Sequence, residues 1–322
     1  MASMTELPNI GSRQDLARWR ADPYLWRAVV QDLARAENVQ TTVLASYKTG
    51  TNLVVDLDGR LILKLFPPLH RSQFESERAT LRLLEGALSV PTPRIIAEGE
   101  RDGWPYLIMT RLNGVLGSEA WPTLSEAEKC QVLLDVGRTI AEVQSVPPGP
   151  LLAIEPTWPE FITRQIAGCK ARHASQGLAP KLLDDLDGLL AQTTTIIPLD
   201  APPVILTGEW IPENLLLAEM DDRWHLAALI DFGDVMTGWP EYDLLGPSAF
   251  MCAGQVNRVE SLLDGYGIEP RDVDRAMRRR LLTLMVLHRA SDLRNVRIEG
   301  WEARISKLTE LEDVIWPHEG PG

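Results

Sequence analysis

The chain has 322 residues, a formal net charge of −13 and a sequence pI near 4.9. That length allows one large domain or two lobes, and the acidic balance argues against nucleic acid or an anionic membrane surface as the main partner. Cys130, Cys169 and Cys252 are too widely spaced for a disulfide framework or a zinc motif and suit a reducing, cytoplasmic setting. No apolar run approaches the roughly 18 residues that cross a bilayer. Met1 to Ile10 lacks a basic segment followed by an apolar core, so no signal peptide is expected. The first element is a helix carrying Leu25, Trp26, Val29, Val30 and Leu33 on one face, capped by Asp22-Pro23. Whether it packs on the strands that follow or serves as a substrate-side element stays open.

Val43 to Tyr47, Leu53 to Leu57 and Leu61 to Phe66 read as three β-strands. Lys48-Thr49-Gly50-Thr51-Asn52 and the Asp58-Gly59 turn separate them. A glycine loop between the first two strands can offer backbone N–H groups to phosphates, although one glycine also suits a plain hairpin. Lys64 is more telling, because both faces of its strand are apolar: Ile62 and Phe66 share its side, and Leu61, Leu63 and Leu65 take the other. A lysine so placed needs a partner. The helix from Phe74 to Gly86 supplies one in Glu77, which shares an inward stripe with Phe74, Leu81 and Leu84.

Val90 to Arg94 is extended by its two prolines, and Tyr106 to Met109 is strand-like. Beyond Thr110-Arg111-Leu112-Asn113-Gly114 the pattern turns helical. Ser125 and Glu128 form a capping box, and Val132, Val136, Ile140 and Val143 recur at helical spacing. Glu160 to His173 and Pro180 to Ala191 are further helices, and Pro198 to Pro203 is a loop. The tail from Val256 to Trp316 is mostly helical, and Arg271 to Arg280 reads as a solvated basic face.

Two apolar runs, Leu215 to Ala218 and Leu226 to Ile230, flank a polar turn and read as a β-hairpin. A turn centred near Asp221 and Asp222 places Asn214 roughly opposite Asp231 and brings Glu209, five residues before Asn214, to the same end. An amide oxygen and two carboxylates in that layout suit Mg²⁺ and a phosphate load. This is the chemical core of a kinase-type phosphotransferase.

Thr207-Gly208-Glu209-Trp210-Ile211-Pro212-Glu213-Asn214, followed by Ile230-Asp231-Phe232-Gly233, resembles the aminoglycoside phosphotransferase and choline kinase superfamily. There a His-Gly-Asp-x-x-x-x-Asn loop precedes an Ile-Asp-Phe-Gly-type segment. Thr207 stands where that family has histidine, and Glu209 where it has the catalytic aspartate. Phe74 to Gly86 is similar to a helix of that family, Gly103 to Met109 to its hinge, and Pro240 to Gly246 to the segment whose aspartate braces the catalytic loop. The resemblance runs from roughly Val43 to Leu245. It implies an α/β (α+β) class, a two-lobed protein-kinase-like fold with a small β-rich N-lobe and a larger helical C-lobe. On that plan residues 1–40 are a helical extension, 41–110 the nucleotide-binding N-lobe, and 111–322 the C-lobe with the catalytic hairpin and substrate helices.

The resemblance also implies roles. Lys64, oriented by Glu77, holds the α- and β-phosphates of ATP or GTP, and Gly50 lies over them. The backbones of Thr110 and Leu112 meet the adenine edge, and Asp231 with Asn214 binds Mg²⁺. Glu209 accepts or orients the proton of a substrate hydroxyl, a role the loose transition state leaves undemanding. Glutamate reaches about 1.5 Å further than aspartate, so its loop must hold the backbone further back. The implied substrate is a small cationic hydroxylated molecule, an aminoglycoside antibiotic first, with resistance as the role. An amino alcohol, a sugar or a macrolide is the alternative, as is a catalytically weak pseudokinase, which the Thr207 and Glu209 departures favour and the retained Lys64, Glu77, Asn214 and Asp231 count against. Neither nucleic acid nor membrane is expected as a partner. Of the remaining acids near the motifs, Glu213, Asp234 and Glu241 read as solvated or structural, and Asp243 as structural.

Overall fold

A computed structural model describes residues 6–47 and 50–317, which divide into two compact units. The first comprises the described residues within Met1–Glu85, with Pro91–Leu112 and Asp231–Asp234; the second comprises Gly86–Val90, Asn113–Ile230 and the described residues from Val235 onward. Lys48 and Thr49 of the expected glycine loop, and residues 1–5 of the amino-terminal stretch, lie outside the described residues.

In the first unit, helices α1 (Arg13–Ala21) and α2 (Pro23–Ala36) precede strands β1 (Leu44–Ser46), β2 (Leu53–Leu57) and β3 (Leu61–Leu65). The Asp22 side chain accepts the Tyr24 N–H at 3.0 Å and Pro23 opens the helix, as the cap pattern requires. Helix α3 (Arg71–Leu84) and strands β4 (Ile95–Arg101) and β5 (Trp104–Thr110) complete the unit. The sheet is antiparallel in the order β1-β2-β3-β5-β4.

Alternation assigns its two faces different work. Leu53, Val55, Leu57, Leu63, Leu65, Tyr106 and Ile108 join Leu16, Trp19, Trp26, Val29, Val30 and Leu33 in one buried cluster. The amino-terminal helices therefore pack on the sheet, which answers the question the sequence left open. Lys64, paired in register with Val54 and Leu107, points to the opposite face.

The second unit opens with β6 (Val115–Leu116) and the short helix α4 (Gly117–Ala120). Helix α5 (Glu126–Ser145) follows, with the Ser125–Glu128 capping box formed and Val132, Val136, Ile140 and Val143 buried. Helices α6 (Trp158–Ser175), α7 (Pro180–Ala191) and α8 (Thr193–Ile196) lead to β7 (Val204–Leu206). The hairpin is β8 (Leu215–Met220) and β9 (Arg223–Leu229); β10 (Met236–Gly238), α9 (Leu245–Pro247), α10 (Val256–Tyr266) and α11 (Arg275–Leu287) come next. Two glycines let α5 and α10 cross closely. A Cβ on Gly137 would lie 2.1 Å from the Leu262 carbonyl oxygen, and one on Gly265 2.1 Å from that of Leu134.

Asp221 (φ 51°) and Asp222 (φ 59°) form the two-residue turn of the hairpin, the left-handed pair that a tight antiparallel connection demands. The register differs from expectation by one residue. Leu217 pairs with Leu226 but Leu216 with Ala228, so Ala227 is an extra residue in β9. The Asp221-Asp222 turn alone would set Asn214 opposite Leu229; the extra residue carries it on to Ile230, whose N–H donates to the Asn214 carbonyl at 3.0 Å, one residue short of Asp231.

Candidate active site

In the first unit three charged side chains meet. The Lys64 ammonium lies 2.6 Å from Glu77 Oε2 and 2.9 Å from Asp231 Oδ1. Lys64 is 5% exposed and Glu77 2%, whereas the Asp231 side chain is 36% exposed. Burial alone would push the lysine down, but Asp231 and Glu77 together overcome it and raise its pKa. Burial pushes the Glu77 carboxyl up, with Lys64 opposing. At Asp231 burial is outweighed by Lys64, and the carboxyl falls below its ordinary value. One ammonium thus faces two carboxylates, and the unbalanced negative charge sits at the partly exposed Asp231.

The backbone fixes this arrangement. Asp231 adopts φ 64°, a conformation costly for most side chains but tolerated by aspartate, and the Gly233 N–H donates to its Oδ1 at 3.3 Å. A polar chain that the sequence did not reveal runs through the same unit. Asn52 Nδ2 donates to Gln73 Oε1 at 2.9 Å, Gln73 Nε2 to Asp234 Oδ1 at 3.4 Å, and Asn52 Oδ1 lies 2.9 Å from His70 Nδ1. Gly50 adopts φ +90°. Its carbonyl, with that of Asn52, accepts from Arg20 of α1. Arg20 is joined to this loop across thirty residues, a distance over which periodicity carries no signal. Thr110 ends β5 and exchanges bonds with Arg94, its N–H donating to the Arg94 carbonyl at 2.9 Å. Its hydroxyl accepts the Arg94 N–H at 2.9 Å. Leu112 lies past the strand.

In the second unit the segment 207–214 follows β7. Asp243, 2% exposed, accepts the Thr207 N–H at 3.0 Å and the Gly208 N–H at 2.8 Å, one on each oxygen. This is the bracing contact expected of Asp243. Burial drives its carboxyl up to about 6 against the pull of those N–H groups. The Asn214 amide nitrogen donates to the Glu209 carbonyl at 3.1 Å and to Glu209 Oε2 at 3.4 Å, so these two expected site residues are brought together. Two glycines allow close approach to the loop: a Cβ on Gly246 would lie 2.6 Å from the Trp210 carbonyl oxygen, and one on Gly117 2.6 Å from that of Pro212. Glu241 is held by Arg280 through contacts of 2.7–3.1 Å and is structural. Among the described residues no group of three or more His, Cys, Asp or Glu could hold a metal ion. No helix there is long and apolar enough to cross a membrane.

A β-sheet amino-terminal region carrying a buried lysine–glutamate pair, followed by a helical carboxy-terminal region, is a kinase-like α/β fold. The profile of the phosphotransferase enzyme family matches residues 41–281, and the chain belongs to that family. Among solved structures it is similar to the APH(2")-IIia complex with GDP and kanamycin (19% identity, TM-score 0.66, covering 89% of this chain and 98% of that one). It is also similar to the aminoglycoside phosphotransferase APH(3'')-Id of Streptomyces rimosus with ADP and streptomycin (19% identity, TM-score 0.59, 82% and 98%). A third is the macrolide 2'-phosphotransferase MphH of Brachybacterium faecium (18% identity, TM-score 0.59, 91% and 99%). At these identities the likeness is one of fold. A comparison with curated proteins gives no match.

Proposed function

We propose that this phosphotransferase moves the γ-phosphoryl group of ATP or GTP to a hydroxyl of a small cationic molecule, an aminoglycoside being the first candidate. The observation that carries the reading is the buried Lys64 held between Glu77 and Asp231. Two carboxylates against one ammonium stabilise the charged lysine, which presents its remaining donor capacity to phosphate oxygens. Gly50 offers backbone N–H to the same phosphates, and the Thr110 and Leu112 backbones take the base edge.

The residues fit a hard divalent cation. Asp231 engages Lys64 and Gly233 through Oδ1, leaving Oδ2 as a ligand. Asn214 uses its amide nitrogen toward Glu209, leaving its carbonyl oxygen. Mg²⁺ takes one or two such protein oxygens and completes its shell with phosphate and water; when bound it neutralises charge on the transferring group. Glu209 orients the acceptor hydroxyl and takes its proton, and the Asn214 contact holds that carboxylate in place.

The nucleotide complexes among the similar structures, with GDP, ATP and ADP, support a nucleoside triphosphate as donor. Those holding kanamycin and streptomycin support an aminoglycoside acceptor, and antibiotic resistance as the role. The MphH likeness, spanning 91% of the chain, makes a macrolide the second reading. No nucleic acid or membrane partner enters the scheme, and the proposed setting is the cytoplasm. The test is a substrate panel on the purified chain with Mg²⁺ and ATP or GTP: aminoglycosides against macrolides, amino alcohols and sugars. Phosphorylation of an aminoglycoside is expected. A neutral or macrolide substrate with inert aminoglycosides would move the assignment to another acceptor, and nucleotide binding with no transfer at all would make the protein a pseudokinase.

A further inference from the structure

We infer that His288, the capping residue just past the end of α11, is a positioning residue for Glu209. Its ring lies within the second unit, stacked on Tyr242 at 4.7 Å between centroids and 20° between planes. Tyr242 is itself buried and adjoins Asp243, the brace of the loop. The Ala290 N–H donates to His288 Nδ1 at 3.2 Å, so that nitrogen carries a lone pair and the ring proton sits on Nε2. Nε2 lies 3.3 Å from the Gly208 carbonyl oxygen and donates to it.

The consequence follows from peptide planarity. Asp243 holds the Thr207 and Gly208 N–H groups, and thereby the two peptide planes that enter the loop. The next plane contains the Gly208 carbonyl and the Glu209 N–H, and from it the Glu209 side chain departs. Gly208 adopts φ +70° and, lacking a Cβ, is the residue about which that plane turns most freely. His288 holds that carbonyl and so restrains the rotation. Three successive planes are thus locked before the carboxylate, two by Asp243 and the third by a side chain eighty residues away in sequence.

The kinetic consequence rests on the phosphotransfer reading, while the positioning itself is read independently by amide exchange. Two full-length variants separate the roles of the ring. His288→Phe keeps the stack and removes the donor; His288→Gln restores an amide donor without the ring. Exchange across 208–211 is expected to quicken about tenfold in His288→Phe, the worth of one net hydrogen bond, and to return near the parent rate in His288→Gln. With the best acceptor from the panel, kcat should fall by a similar factor of about ten in His288→Phe. The KM for nucleotide should hold, and His288→Gln should recover most of the rate. Unchanged exchange in His288→Phe, or a glutamine variant as loose and slow as phenylalanine, would overturn the inference. Should His288→Phe fail to fold, long-range ¹H–¹⁵N spectra of the parent decide: a proton on Nε2 supports the lock and a proton on Nδ1 refutes it. A parent without transfer activity, by contrast, contradicts the function proposed above and not the exchange result.

Discussion

Replacing Lys64 with alanine would leave Glu77 and Asp231 facing each other without their shared cation. Breaking a buried pair in this way costs about 3–5 kcal/mol, and nucleotide affinity should fall with it. The deficit has a pH signature. With Lys64 gone, burial raises the Glu77 carboxyl further above its unfolded value, so the stability that protonation contributes is present at low pH and lost as pH rises. Urea unfolding should therefore show a gap between parent and Lys64→Ala that widens from about pH 5 to about pH 8; a gap independent of pH would mean the pair is not the seat of the effect. Asp243 behaves in a related way. Its folded value of about 6 lies above the ordinary 3.8, so its favourable contribution is full below the unfolded value and lost as pH rises through the folded one. Asp243→Asn removes that titration and sets an amide NH₂ against one of two N–H donors, at about 1–3 kcal/mol. The parent's stability advantage should shrink from about pH 4 to about pH 7, and a widening advantage would contradict the burial. At this scale the sequence showed Lys64 and Glu77 because each interrupts an apolar stripe. Arg20 and His288 interrupt nothing locally; their partners lie thirty and eighty residues away, where spacing carries no information.

Close approach between elements sets a second group of expectations. Gly246 lets α9 lie against the Trp210 carbonyl, and a methyl there meets backbone that must move. Gly246→Ala should cost about 1–3 kcal/mol, as overpacking does, and should lower transfer activity because the displaced segment carries Glu209. Gly188 in α7 is the control: nothing lies within 4 Å of its would-be Cβ, and alanine should stabilise by about 0.5–1 kcal/mol. Equal thermal shifts in the two variants would show that the contact is not tight. Most elements were legible because hydrophobic spacing and caps agree, as at Asp22-Pro23, Ser125-Glu128 and the Asp221-Asp222 turn. Helix α1 was not, its nine residues being mostly polar, and neither were two further features. Strand β4, Ile-Ile-Ala-Glu-Gly-Glu-Arg, has weak strand composition past its first two residues and is defined by pairing with β5. The bulge at Ala227 shifts Asn214 by one residue and leaves no mark on the apolar pattern.

For the whole molecule, the family, the kinase-like fold and the net charge of −13 bear on the choice of acceptor. If the substrate is polycationic, its KM should rise with salt, since exposed charges are screened over about 8–10 Å, while neutral acceptors should show almost no change. A salt-independent KM for an aminoglycoside would separate binding from the acidic surface. The family was readable from the order of Lys64, Glu77, the 207–214 loop and the Asp-Phe-Gly segment, because motif order survives where identity has fallen below a fifth. The acceptor was not, because it depends on side chains that no motif orders. The central claim is that Glu209, standing where the resembling family has aspartate, serves phosphoryl transfer in this chain. Single-turnover transfer of labelled γ-phosphate, compared between the parent and Glu209→Gln at saturating nucleotide and Mg²⁺, tests it most directly. Transfer by the parent and a loss of about 10²–10⁴-fold in the variant, with nucleotide affinity nearly unchanged, is the expected result; a variant within a few-fold of the parent would contradict it.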